Sequence, residues 1–491
     1  MRWISIAVAV LVLTSCGGES WRDLGGKCAT PRTGIDPITH NAYPDRQGTL
    51  DVEKKFLRAW TDDLYLWYSE VPAIDPAPFT KATDYFKVLK TTATAGGQPK
   101  DRFHFFYDTA YWEQLSQSGQ ELGYGLTWTV PRKDPPREWR IAYLEPNPPA
   151  MLNGIRRGAR IIKIDGADML NGVDQASVNT LNAGLFPAAA GEQHTFLLED
   201  YNTLAQQSFT LTAQTVITNP VPDVHTITAG ADTVGYMLFN DHLATAEKAL
   251  ADGVKTLNAA NGGAGVKDLI LDIRYNGGGY LYIASELGYM IAGPTRTSGR
   301  IFERLQFNNK YPPDFDPVVG RPMAPTPFYN TTFAGSALPS LGLGRVFVLT
   351  GESTCSASES IINGLQGVNV QVIQIGHHTC GKPYGFHPQD NCGTTYFSIQ
   401  FQGTNAKGFG DYTLGFSPGP AAAGSTVLGC QIADDFSRDL GDSAEGRLAA
   451  ALAYRNSPTC PAPSIRALYA AVPQEGTVIK SPWRQNRILV P

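Results

Sequence analysis

Arg345-Val346-Phe347-Val348-Leu349-Thr350-Gly351-Glu352-Ser353-Thr354-Cys355-Ser356-Ala357-Ser358-Glu359 is the stretch on which the fold turns. Its first six residues form a short apolar run suited to a buried strand. Ile361, Ile362 and Leu365 follow at helical steps, so strand passes to helix through a turn that holds Ser356. Asp268-Leu269-Ile270-Leu271-Asp272-Ile273 repeats the pattern: a strand, a glycine turn, then Ile283, Leu287 and Ile291 on one helical face. Such repeats imply an α/β layer with active groups at the strand ends.

A serine at a strand-to-helix turn lies near unpaired backbone N–H groups, which favour the oxyanion formed when a peptide carbonyl is attacked. Its hydroxyl is a poor nucleophile until a base takes the proton. Twenty-six residues further on comes Gly381-Lys382-Pro383-Tyr384-Gly385-Phe386. A free lysine has a pKa of about 10.4, and lowering it by roughly three units takes about 4 kcal/mol, within reach of a desolvated pocket. Tyr384 and Phe386 offer apolar cover, and a strand around Val370–Ile373 returns Lys382 toward Ser356. Serines at helix starts are commonly N-caps, and Ser353 and Ser358 read that way. Cys355 with His377 or His378 would make a thiol site, but in an exported chain a disulfide is the better reading of Cys355. Gly351 to Cys355 lacks the last glycine of the Gly-x-Ser-x-Gly elbow.

The chain of 491 residues is too long for one core, and three domains is the natural expectation. With 42% apolar and 17% charged residues it is of globular composition. A net charge of −5 with no basic stripe argues against nucleic-acid binding. Arg2, the largely apolar run Ile4–Leu13 and Leu13-Thr14-Ser15-Cys16-Gly17 form a secretory signal, too short to cross a bilayer of about 30 Å. Its ending resembles the bacterial lipobox, which implies removal of residues 1–15, lipid on Cys16 and a place in the cell envelope, anchored to the membrane and facing the periplasm or exterior. Six further cysteines, Cys28, Cys355, Cys380, Cys392, Cys430 and Cys460, allow up to three disulfides with the pairing open. No cysteine or histidine spacing argues for zinc.

Residues 16–45 read as a tether, and 46–117 as an N-terminal helical domain with Phe56, Trp60, Leu64 and Trp67 on one face. Residues 118–216 read as a separate small domain. There Gly123-Tyr124-Gly125-Leu126 precedes strand-type residues, followed by Asn147-Pro148-Pro149-Ala150 and Gly154-Ile155-Arg156-Arg157-Gly158-Ala159-Arg160-Ile161-Ile162-Lys163-Ile164-Asp165-Gly166. This resembles a circularly permuted PDZ domain, whose glycine loop offers N–H groups to a peptide's C-terminal carboxylate while the peptide adds as a strand.

Together with Lys100-Asp101-Arg102-Phe103, Asp272-Ile273-Arg274-Tyr275-Asn276-Gly277-Gly278-Gly279, Ser356-Ala357-Ser358-Glu359 and Gly381-Lys382, residues from about 50 to 440 resemble the carboxyl-terminal-processing peptidases. The resemblance implies an α/β multidomain fold with a ClpP/crotonase-like core over 217–491, including a C-terminal extension. It implies Ser356 as nucleophile, Lys382 as base, and an oxyanion hole from the amides of Ala357 and Gly277 or Gly278. It further implies Gly123, Tyr124, Gly125 and Leu126 as peptide binders, protein or peptide tails as partners, and neither metal nor organic cofactor. Phe386 departs from the pattern, since many members carry there a glutamine that orients the lysine. Another side chain then orients Lys382 (Gln389 is near in sequence), or the pair is weaker. A catalytically inactive peptide-binding lipoprotein is the rival reading.

Overall fold

The computed structural model describes residues 19–36, 40–146, 152–461, 476–480 and 487–489. Cys16, the signal segment and Asn147–Ala150 lie outside them. Thr49 caps helix α1 (Leu50–Leu64) by accepting from the Val52 N–H. Phe56, Trp60 and Leu64 recur at helical steps and are buried. The helix stops before Trp67, because Tyr65 turns to an extended conformation, so the helical face ends at Leu64 rather than at Trp67. These rings pack against Tyr85 and Phe86, and in the same cluster lie Tyr384, Phe386, Tyr396 and Phe397 from far along the chain. Phe105–Asp108 also pairs antiparallel with Thr394–Phe397, and Cys28 is bonded to Cys392. Residues 46–117 therefore share their core with the segment around Lys382.

A β-domain follows, built from β1 (Leu126–Arg132), β2 (Glu138–Leu144), β3 (Arg160–Ile164), β4 (Gln193–Glu199) and β5 (Gln206–Thr212), with helix α2 (Gln175–Leu185) packed on it. The strands are antiparallel in the order β5-β4-β3-β2-β1. Alternate residues such as Ile161, Phe196, Leu198 and Leu211 fill its core.

The central sheet contains β6 (Asp223–Ala229), β7 (Asp232–Leu238), β8 (Asp268–Asp272), β10 (Arg345–Thr350), β11 (Gln371–Gly376), β13 (Ser417–Gly419) and β14 (Thr426–Gln431). Outside it lie β9 (Gly278–Tyr280) and β12 (Tyr384–Gly385). The order is β6-β7-β8-β10-β11-β14-β13, and every pair but the first is parallel. Because side chains alternate along a strand, Leu269, Leu271, Val346 and Val348 face helices α3 (Ala246–Ala259), α4 (Leu281–Ala292) and α5 (Ala357–Gly367). Ile270, Phe347, Leu349 and Ile373 face α6 (Gly446–Asn456) on the other side. A strand buried on both faces explains the unbroken apolar runs.

Two last strands leave the central sheet. β15 (Thr477–Ile479) joins the β-domain, antiparallel to β1, and β16 (Arg487–Leu489) runs parallel to β9.

Candidate active site

Strand β10 ends at Thr350 and helix α5 begins at Ala357, so Ser356 sits on the turn between them. Its φ of 61° and ψ of −120° lie in a region that L-residues rarely adopt, a strain of about 1–3 kcal/mol that the surroundings must hold. Thr354 Oγ1 donates to the Ile273 carbonyl at 2.9 Å and accepts the Gly351 N–H at 2.9 Å. The Cys355 N–H and Ser358 Oγ both donate to the Asn276 carbonyl at 3.0 Å. The turn is thus fastened to the end of β8. Ser356 Oγ is buried, with no hydrogen-bond partner among the described residues. Ser358 is therefore tied to Asn276, and Ser353 Oγ accepts the Val478 N–H at 2.8 Å; neither serves as the N-cap of α5, since that position is occupied by Ser356.

Lys382 is fully buried. Its Nζ lies 4.4 Å from the centre of the Phe386 ring and 4.8 Å from that of Phe103. Phe386 fills the position of the family's glutamine, and Gln389 does not replace it, since its side chain donates to the carbonyl of its strand neighbour Asp390 at 3.0 Å. Phe103 is carried there by Asp101, whose carboxylate accepts the Phe103 N–H at 2.8 Å and the Tyr65 hydroxyl at 2.7 Å. Arg102 adds a bond to the Cys380 carbonyl at 3.0 Å.

The two segments are joined by Glu359, which the sequence shows only as an acid in a helix's first turn. Glu359, in the first turn of α5, accepts the Ser356 N–H at 2.9 Å and the Lys382 N–H at 2.8 Å on the same oxygen, Oε2, so the two amide nitrogens are within about 5.7 Å of each other. Its other oxygen accepts the Gly381 N–H at 2.9 Å and the Thr379 hydroxyl at 2.5 Å. Burial raises the Glu359 pKa, and these four donors oppose that rise without cancelling it. The Cys355–Cys380 disulfide closes the same junction, with Cα atoms 5.2 Å apart. It removes Cys355 as a thiol nucleophile. The third disulfide is Cys430–Cys460.

Facing the helix start is the Asn276–Gly279 turn. As the first residue of α5, Ala357 has an N–H with no partner inside the helix. The Gly278 N–H is already donated to Asn276 Oδ1 at 3.0 Å, which leaves Gly277 as the glycine amide to consider. Asn276 is held by the Phe239 carbonyl at 2.9 Å and by His242 Nδ1 at 3.0 Å. Gly279, at φ 144°, has the His242 carbonyl where a Cβ would come within 2.5 Å, so only glycine fits. Behind the turn, Arg274 pairs with Asp272, Asp434 and Glu445 in a buried cluster. Arg157 of the β-domain enters that cluster at 2.6 Å from Asp434 and 2.8 Å from the Tyr275 hydroxyl. Burial alone would raise the Asp434 pKa, but Arg157, Arg447 and Arg274 hold it well below the usual carboxylate range.

The Gly123–Leu126 loop lies at the start of β1 and lines a cavity of about 290 Å³ with Leu185, Phe186, Ile479 and Lys480. Gly125 has a φ of 81°. Tyr124 turns inward and donates to the Gly184 carbonyl at 2.7 Å, tying the loop to α2. Elsewhere, Glu352, His377 and His378 bring ligand-type atoms within 4.8 Å of one another, a grouping that spacing along the chain did not reveal. Burial and the neighbouring His378 push His377 down to about 4.

A largely parallel sheet with helices on both faces, and a buried serine and lysine on the segments that follow β10 and β11, define an α/β protein. Residues 233–389 match the model of Peptidase family S41, so this part of the chain is similar to that family. A crystal structure from Bacteroides fragilis described as an S41 protease has the same fold, with a TM-score of 0.61, 21% identity, and coverage of 82% of this chain and 97% of that one. The photosystem II D1 C-terminal processing protease gives 18% identity and a TM-score of 0.44 over 76% of this chain and 92% of its own. Mature CPAF gives 12% and 0.40 over 74% and 90%. No curated protein sequence matches the chain.

Proposed function

We propose that the protein is a serine endopeptidase in which Ser356 attacks a peptide carbonyl and Lys382 is the base. The observation that carries this reading is the shared oxygen of Glu359, which holds the serine turn and the lysine strand together. Neutral Lys382 takes the Ser356 proton as the Oγ–carbon bond forms. The amides of Ala357 and Gly277 donate to the carbonyl oxygen as it gains charge. The leaving amine takes the proton from Lys382, and the carbon–nitrogen bond breaks. Water then gives a proton to Lys382 and its oxygen to the acyl carbon, and Oγ leaves with that proton. Withdrawal of Nζ from water favours the neutral amine, and the rings of Phe103 and Phe386 orient it where a glutamine amide would otherwise do so.

In this reading the β-domain is a PDZ domain that takes the C-terminal tails of protein substrates along β1, with Gly123 and Gly125 at the carboxylate. Three disulfides support an oxidising compartment, in line with an envelope lipoprotein anchored through Cys16. The rival, an inactive peptide receptor, draws on Phe386. Incubation with an unstructured protein separates the two: the wild type cleaves, and Ser356→Ala and Lys382→Ala do not. Equal background cleavage by all three favours the receptor.

A further inference from the structure

The chain's last described residues lie on the edges that an extended peptide would use. β15 adds to β1 just after the Gly123–Leu126 loop, pairing Val478 with Thr129 and Ile479 with Trp128. β16 adds to β9, pairing Arg487 with Gly278 and Ile488 with Gly279 beside the oxyanion turn. It also runs close to β12, two residues beyond Lys382. Open strand edges are where peptides are captured by main-chain hydrogen bonding.

Specific contacts support the first strand. Val478 is buried in a cluster with Ala142 and Tyr143 of the β-domain and Tyr275 of the core. Its N–H bond to Ser353 sets it three residues from the nucleophile. Ile479 packs on the β-domain core and lines the 290 Å³ cavity. Lys480 is buried, with Nζ at 3.3 Å from Asp241 Oδ2 and against the Asn240 carbonyl. Gly476 lies so close to β1 that a Cβ there would come within 2.3 Å of Thr129 Oγ1.

We propose that residues 476–480 and 487–489 are ligands built into the chain, the first filling the peptide edge of the β-domain and the second the strand edge of the catalytic turn until substrate displaces them. This rests on the peptidase reading above. The contacts also define the class of competing peptide: two β-branched aliphatic residues followed by a cation that meets Asp241. A tethered segment acts at an effective concentration on the order of 1 mM. With an affinity of about 100 µM in isolation, it is bound roughly ten-fold more often than not and weakens a competitor about ten-fold.

The test uses the full chain with Ser356→Ala, so that no cleavage intervenes, and a fluorescent peptide of the sequence from Gly476 to Leu489. Ile479→Asp in that background sets a carboxylate against an apolar core and releases the tail. Peptide affinity is expected to rise about ten-fold over the protein with the native tail. Lys480→Ala, which removes a cation and leaves the apolar packing intact, raises it in the same direction and serves if the first variant misfolds. Equal affinity across the native and altered tails overturns the proposal. Because binding is read without turnover, a tail effect in a protein whose wild type shows no Ser356-dependent cleavage would refute the peptidase reading alone.

Discussion

Replacing Glu359 by alanine removes the acceptor on which the amides of Ser356, Gly381 and Lys382 and the Thr379 hydroxyl converge. The hydroxyl can turn elsewhere, but three buried amides are left, at about 1–3 kcal/mol each. Relief of the carboxylate's own burial offsets part of this, so the loss falls near the lower end, about 3 kcal/mol, a large share of a typical stability of about 5–15 kcal/mol. Glu359→Gln keeps one acceptor oxygen and strands about one amide, for about 1–3 kcal/mol. Urea unfolding followed by tryptophan fluorescence measures both, and turnover of an unstructured protein substrate should fall in both. The pH dependence adds a second signature. The folded carboxyl has a raised pKa, so it is penalised where the unfolded chain is already ionised. Its contribution is therefore best at low pH and is lost as pH rises from the ordinary glutamate value through the folded one. Glu359→Gln removes that slope. An alanine variant within about 1 kcal/mol of wild type, with full turnover, would refute the reasoning.

Other consequences follow from the same contacts. Arg157→Ala leaves Asp434 with one fewer cation in a buried cluster and should cost about 3–5 kcal/mol in chemical denaturation. Asp434 has a depressed pKa, so its share of stability is present above the unfolded aspartate value and lost as pH falls through the folded one. Apart from these contacts, Glu303 is buried on the strand Ile301–Phe307, which pairs with Phe401–Thr404; raised by burial from 4.5 to about 7, it should weaken the fold by up to about 3 kcal/mol between pH 4.5 and 7.5, and Glu303→Gln should flatten that part of the curve. Cys380→Ala opens the link between the serine turn and the lysine strand. It should lower stability by about 2–4 kcal/mol and reduce turnover at temperatures where far-UV circular dichroism remains native.

The central strands were legible because burial on both faces writes itself as unbroken apolar runs, as in Val346–Leu349 and Leu269–Leu271. Ser356 and Lys382 stood out through the motifs around them. Glu359 did not, since an acid in a helix's first turn has an adequate local explanation. Its burial arises only when β11 returns the chain past α5. Phe103 was quoted as part of a motif, yet its place over Lys382 depends on Asp101 and on a core shared with residues about 280 positions later. Gly277 and Gly278 were equivalent on paper, and the Asn276 side chain distinguishes them. Six cysteines permit many pairings, and only the fold selects among them. Strands of three residues such as Thr477–Ile479 carry no periodicity, so their partners are invisible along the chain.

The serine and lysine assignment is tested most directly by reaction with a fluorophosphonate and peptide mapping of the adduct across pH. The account predicts one modified residue, Ser356, a rate that climbs with pH as Lys382 gives up its proton, and a loss of about a thousand-fold or more in Lys382→Ala. Labelling at another residue, or at Ser356 with equal speed in the lysine variant, would contradict it.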